Sequence, residues 1–128
     1  MSTSAEMGRE AKTGVVTPQT GPLAVFGIAD IWSAELAKTT IGDGLLLGDG
    51  KMHPVSIMFR DTQSDSNRAA QVAGDMISND KVDILTASGS PDTVNPAADQ
   101  AEAMETPFIS VFCPGAAFVF ARGGSFEK

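Results

Sequence analysis

The sequence predicts an α/β protein built on an open, doubly wound parallel sheet. Short apolar runs alternate with helical periodicities, and each run ends in a small polar or glycine-rich stretch just before a helix. The chain has 128 residues, 42% hydrophobic and 20% charged, enough for one ordinary core and not for two. Collagen-like, wholly disordered and disulfide-scaffold classes are thereby disfavoured.

Taken in order, residues 1–11 read as a disordered leader or tag, because the polar, small-residue start shows no periodicity. Residues 12–128 read as one α/β lobe. Gly14-Val15-Val16-Thr17 is the first strand, and Pro18 to Pro22 turns the chain. From Leu23 to about Thr40, Val25, Ile28, Ala29, Trp32 and Leu36 recur at helical spacing and predict a core-facing stripe. Ile41 to His53, rich in Gly and Asp, reads as a loop with a packed apolar plug at Leu45-Leu46-Leu47. Val55 to Phe59 is a nearly continuous apolar strand of the kind covered on both faces.

Ser64 and Asp65 offer N-cap oxygens to a second helix with Ala69, Val72, Ala73, Met76 and Ile77 on one face, ending near Ser78 to Asp80. Val82 to Ala87 is the third strand. A third helix carries Val94, Ala97, Ala98, Ala101 and Met104, and Pro96 is expected in its first turn, which sets the start near Thr93 to Asn95. Pro107 to Phe112 is the fourth strand, and Ala117 to Ala121 reads as a fifth short extended piece. With right-handed crossovers, these units place a ligand site outside the carboxyl ends of the strands. The lining loops are then Thr17 to Gly27, Asp61 to Asp65, Ser88 to Thr93 and Phe112 to Ala116. Their hydroxyls, glycines and helix N-termini suit a neutral polar or carboxylate-bearing small molecule.

Several function classes lose their chemistry. Nine Lys and Arg against sixteen Asp and Glu give a formal charge of -7, which repels nucleic acid and anionic membrane surfaces. One cysteine, Cys113, permits no intramolecular disulfide and no cysteine-built zinc site. No run is long enough to span a membrane, and the start of the chain lacks the apolar stretch of a signal peptide. There is no GxxxxGK[ST] loop, and Gly42-Asp43-Gly44 follows a helix rather than a strand. Val16-Thr17 lacks the acid that a phosphoryl-accepting receiver would carry there.

Thr17-Pro18-Gln19-Thr20-Gly21 partly fits a flavodoxin-like phosphate loop, which keeps an FMN or electron-transfer domain as the alternative reading. His53, before Pro54, reads as a surface or strand-edge histidine, and Cys113 as a small buried hydrophobe. Asp61 and Asp65 could serve a ligand amine or metal, with an N-cap role as the default. Phe26 could face ligand or pack on the core. Ser88, Ser90 and Thr93 form a hydroxyl cluster of which a helix cap explains one member.

Read together, Thr17 to Gly27, the Gly-Asp-Gly-Leu-Leu-Leu-Gly loop, and Arg60-Asp61-Thr62-Gln63-Ser64-Asp65-Ser66-Asn67-Arg68-Ala69 resemble the branched-chain amino-acid-binding type of periplasmic substrate-binding protein. Ser88-Gly89-Ser90 and Pro107-Phe108-Ile109 extend the resemblance over residues 13–112. It implies a periplasmic, non-enzymatic solute-binding protein of type I fold, in which two lobes close over a ligand for delivery to an ABC permease. No cofactor is implied. The resemblance further implies that Phe26, with Gly27, packs against ligand, that Ser88, Gly89, Ser90 and Thr93 receive a carboxylate, and that Phe112 and Cys113 complete this half of the cleft. The ammonium partner is expected on a second lobe, for which 128 residues leave no room. A lone first lobe is expected to bind weakly and to self-associate through an exposed sheet edge or apolar face.

Overall fold

A computed structural model describes residues 4–125. A four-stranded, all-parallel sheet forms the centre: β1 (Ala11–Thr17), β4 (Val55–Asp61), β5 (Ile84–Ala87) and β6 (Phe108–Ser110), in the order β4-β1-β5-β6. The helices are α1 (Ala24–Ile41), α2 (Ser66–Ser78), α3 (Pro91–Ala103) and α4 (Gly115–Ala121). The expected doubly wound class therefore holds. Seven residue pairs join β1 to β4, four join β1 to β5, and three join β5 to β6.

Alternation along the strands sorts the two faces. Val16, Leu85 and Ala87 point to the side where α2 and α3 pack on the sheet and on each other. Their partners are Val72, Ala73 and Met76 from α2 and Val94, Ala97 and Ala101 from α3, and these residues form the core. Each large apolar side chain buried there contributes about 1.5–3 kcal/mol. Val15 and Thr86 point to the other side, which α1 covers in part.

Helix α2 forms as the sequence implies. Asp65 caps it, accepting the Arg68 N–H at 2.7 Å, and Ala69, Val72, Ala73 and Met76 are buried. Helix α3 departs at its start. Pro91, not a residue near Thr93, occupies the first helical position, so Pro96 lies inside the helix. A Ser-Pro pair satisfies both the N-cap and the first-turn preference, and its pull outweighs the single hydrogen bond that Pro96 removes. Met104, expected on the buried stripe, is the exposed C-cap residue.

Helix α1 reverses the expectation. Val25, Ile28, Trp32 and Leu36 are 68%, 70%, 68% and 54% exposed. The helix has a second, smaller-residue arc, Gly27, Ala34 and Ala37 with Asp30, and this arc faces the sheet. Small side chains allow a closer approach than the large apolar arc does. Gly27 is the buried residue of the helix, seated directly on the Pro18 carbonyl where any Cβ would collide.

Four further segments differ. Strand β1 begins at Ala11, inside the expected leader, because β4 recruits its polar start through Ala11 opposite Val55 and Lys12 opposite Ser56, while β5 joins from Thr13 onward. Upstream, Gly8 donates to the Met52 carbonyl and Met52 to the Glu6 carbonyl, both at 2.8 Å, and Arg9 pairs with Asp83 at 2.7 Å. The start of the expected leader, residues 1–3, lies outside the described residues. Between Ile41 and His53 the chain forms a hairpin, β2 (Leu45–Leu46) with β3 (Met52–His53), turned by Gly48-Asp49-Gly50. Leu45, Leu46 and Leu47 are exposed rather than a packed plug.

His53 closes β3 at the hairpin's edge, as the strand-edge reading expects, but it is buried and not on the surface. Its Nδ1 lies 2.7 Å from the Arg9 carbonyl and its Nε2 2.9 Å from Asp49 Oδ2, which ties the hairpin to the incoming chain. Ala117 to Ala121 is helical instead of extended. Phe118 stacks on Phe108 with centroids 6.2 Å apart, and Arg122 pairs with Asp99 and Glu102 of α3. No helix among the described residues is long and apolar enough to cross a membrane.

Candidate functional site

All four sheet strands run the same way, so Thr17, Asp61, Ala87 and Ser110 end at one edge of the molecule. Neighbouring strands β1 and β5 send their helices to opposite faces, which opens a crevice above their ends.

Two acids build its floor. Asp61 Oδ1 accepts the N–H groups of Gln19 and Gln63 at 2.8 Å and of Thr20 at 3.2 Å, while Oδ2 accepts the Thr20 hydroxyl at 2.7 Å. Burial alone would push this carboxyl up. The hydrogen bonds from Thr20, Gln63 and Gln19 outweigh it and hold the group below the ordinary aspartate range. Asp30 accepts the hydroxyl of fully buried Thr17 at 2.5 Å. Asp61 is spent on its own loops and Asp30 holds Thr17, while Asp65 serves α2 as its N-cap. Thr17 and Thr20 are likewise committed, which removes the phosphate cradle on which the FMN alternative depended.

Above this floor stand the hydroxyls. Ser88 is 2% exposed, its N–H completes the ladder to the Val16 carbonyl at 3.0 Å, and its Oγ has no hydrogen-bond partner. Ser90 is the N-cap of α3. Its N–H donates to Thr93 Oγ1 at 3.2 Å, whereas its own Oγ occupies the capping-box position without closing a bond of ordinary length. Thr93 is buried and spends its hydroxyl on the Ser90 carbonyl at 3.2 Å. Gly89 joins the two serines with φ of 131°, and a Cβ there would lie 2.8 Å from Thr93 Oγ1. An orphan buried hydroxyl carries a desolvation cost of about 1–3 kcal/mol. The cluster is therefore short of partners that a ligand oxygen could supply.

Aromatic rings flank it. Phe26 on α1 and Phe112 beyond β6 approach to 5.7 Å between centroids at 44°. Phe112 adopts φ of 54°, a conformation costly for a non-glycine residue, and half of its ring faces water. Phe26 thus packs against another site residue and not against the core. Cys113 lies at the margin of the core, where burial pushes its thiol up despite the Ser110 hydroxyl, so the reactive thiolate is disfavoured.

Ser88 and Phe112 also border an open trough of about 320 Å³ between α1 and the sheet, with Val15, Asp30, Ser33 and Thr86 along it. The Thr17–Asp30 pair is invisible to apolar periodicity, because Asp30 shares no face with Val25, Ile28, Trp32 and Leu36. The signal was present in Gly27, Ala34 and Ala37, whose small size marks the face that approaches the sheet. Among the described residues, no group of three or more His, Cys, Asp or Glu could hold a metal ion.

A parallel α/β lobe with hydroxyls, a helix N-terminus and aromatics at its topological switch point defines a ligand-binding class of fold. The family model described as periplasmic binding protein matches residues 10–124, and the chain belongs to that family. Among solved structures it is similar to the branched-chain amino acid transporter substrate binding protein LivJ from Streptococcus pneumoniae, in complex with isoleucine. The TM-score is 0.75 at 24% identity, covering 88% of this chain and 31% of that one. A solute binding protein of an ABC transporter from Rhodopseudomonas palustris, in complex with 3,4-dihydroxy benzoic acid, gives 0.76 at 22%, covering 87% and 29%. An ABC transporter substrate-binding protein from Sphaerobacter thermophilus gives 0.74 at 20%, covering 88% and 29%. The chain thus spans 29% to 31% of these proteins. No curated protein matches it.

Proposed function

We propose that residues 11–125 form the first lobe of a periplasmic solute-binding protein that takes up a small carboxylate, of amino-acid type, for an ABC permease. The observation that carries this reading is the pair of buried, unpartnered hydroxyls on Ser88 and Ser90 at the N-terminus of α3. A carboxylate there gains both hydroxyls, the Gly89 backbone and the positive end of the helix. Phe26 and Phe112 flank its apolar portion. Gly27 and Thr93 shape the site through backbone approach and hydrogen bonding, and Cys113 supports the Phe112 turn from the core side.

Isoleucine and 3,4-dihydroxy benzoic acid, named with two of the similar structures, share a carboxylate and differ in what carries it. That agrees with a site whose first lobe recognises the acid group. The function is binding rather than catalysis: the acids are held in structural hydrogen bonds and the thiol is kept protonated. One lobe taken by itself supplies half of the contacts and none of the closure that excludes water, so the affinity of residues 11–125 alone is weak. Self-association of the isolated chain belongs to the same reading, because one sheet face is only partly covered.

Calorimetric titration with leucine, isoleucine, phenylalanine and 3,4-dihydroxybenzoate tests this. Binding weaker than micromolar, lost when the carboxylate is replaced by an amide, is expected. Micromolar or tighter binding by this chain, or equal binding of acid and amide, overturns it.

A further inference from the structure

The trough between α1 and the sheet brings an acid to the edge of the Ser88 site. Val16 pairs with Ala87 across β1 and β5, and the Ser88 N–H extends that ladder to the Val16 carbonyl. Thr17 and Ser88 therefore stand side by side on adjacent strands, roughly 5 Å apart. Both face α1: the Thr17 hydroxyl reaches Asp30, and Ser88 lines the trough together with Asp30, Ser33 and Thr86. The Ser88 Oγ is buried and unpartnered, whereas Asp30 is half-buried. A carboxylate has about four lone-pair positions. Among the described residues, Thr17 is the one hydrogen-bond donor to the Asp30 side chain, and no ion pair includes Asp30.

This arrangement is hostile to a bare acid. A solute carboxylate seated on Ser88 and Ser90 comes close to a second negative charge, in a chain already at -7 and in a crevice that screens less than open water. A cation carried next to the solute's own acid group removes the conflict. The ammonium of an α-amino acid is such a cation, with three N–H donors, and Asp30, Ser33 and Ser88 offer it acceptors along one trough. The Ser88 hydroxyl has one donor and two acceptor positions, so it serves both groups at once: it donates to the carboxylate and accepts from the ammonium.

We infer that Asp30 is a specificity-determining residue of this lobe, which receives the ammonium of a zwitterionic α-amino acid and turns away acids that lack an amine. The inference rests on the carboxylate reading proposed above and adds what the solute must carry beside its acid group. It places cation recognition in this lobe, where the family resemblance leaves it to a second one. Thr17 is then a positioning residue, because its hydroxyl fixes the Asp30 carboxylate against the end of β1.

Chemical-shift titrations of this chain with isoleucine, its amine-free analogue 3-methylpentanoate and its acid-free analogue isoleucinamide test the assignment. Isoleucine is expected to bind at least about 10-fold more tightly than either analogue. Asp30→Asn removes the charge and keeps an oxygen for the Thr17 hydroxyl, with circular dichroism verifying the fold. In that variant isoleucine weakens about 10-fold while 3-methylpentanoate binds as before or more tightly, so the preference collapses. A purely structural role of Asp30 would weaken both ligands alike, and that result overturns the inference. Equal binding of isoleucine and 3-methylpentanoate by the unaltered chain, with isoleucinamide rejected, also overturns it and leaves the carboxylate reading standing. Isoleucinamide bound as tightly as isoleucine, or no binding of isoleucine, overturns the carboxylate reading and this inference with it.

Discussion

The Thr17 hydroxyl donates to Asp30 Oδ2 at 2.5 Å, joining the last residue of β1 to the second turn of α1. Thr17 is fully buried and Asp30 half-buried, so the bond fixes how α1 leans on the sheet. Thr17→Val keeps the shape and removes the donor, leaving a carboxylate facing apolar surface. Chemical denaturation is expected to register a loss of about 1–3 kcal/mol. An unchanged midpoint would show that the pair positions nothing.

Asp61 makes stability depend on acid pH. Its carboxyl titrates below the ordinary aspartate value in the fold, because Thr20 Oγ1 and three backbone N–H groups outweigh its burial. The contribution is complete above the unfolded aspartate pKa of about 3.9 and disappears as pH falls through the lower folded value. Asp61→Ala should reduce stability by about 2 kcal/mol at neutral pH through the lost hydrogen bonds. It should also flatten the acid limb of the curve of melting temperature against pH. If the limb keeps its slope, another carboxylate governs it.

Gly27→Ala reverses the usual sign of its class. Inside an exposed helix, Gly→Ala gains about 1 kcal/mol. Here the new Cβ would collide with the Pro18 carbonyl, backbone that cannot swing aside as a side chain can. A lower melting temperature is expected, by several degrees if the cost is about 1–3 kcal/mol. A higher one would place α1 farther from the Pro18 turn.

Ser88→Ala separates stability from recognition. Its Oγ is buried and unpartnered, so deletion is expected to leave stability unchanged or raise it by up to about 1 kcal/mol. Carboxylate binding should weaken in the same variant, as read by chemical-shift titration with isoleucine. A clear loss of stability would mean that the hydroxyl has a structural partner.

How legible these features were depends on whether a residue pattern had one physical solution. Helix α2 had one: an Asp65 cap, a single apolar stripe and a polar remainder, and it formed as read. Helix α1 had two apolar arcs, and size rather than hydrophobicity chose between them, since Gly27, Ala34 and Ala37 permit the closer approach. In α3, Pro91 and Pro96 competed for the first turn, and the serine cap decided for Pro91. Ala117 to Ala121 lacks polar markers of either period, so contact of Phe118 with Phe108 determined its form. At the site, the Ser88 to Thr93 cluster could be located from sequence by its place after a strand. Which hydroxyls remain unpartnered could not, because Thr93 and Asp61 find their partners only in three dimensions.

The taper of the sheet makes the crevice mechanically lopsided. On one side, Thr17 and Asp61 close a seven-pair ladder and are cross-tied to each other's loops. On the other, the turn that carries Phe112 hangs from three pairs at the sheet margin. Local opening follows the weakest backbone bonding. One wall of the crevice is thus an anvil and the other a spring, and a solute that orders the Phe112 turn would stiffen the molecule far more than its own contact area suggests.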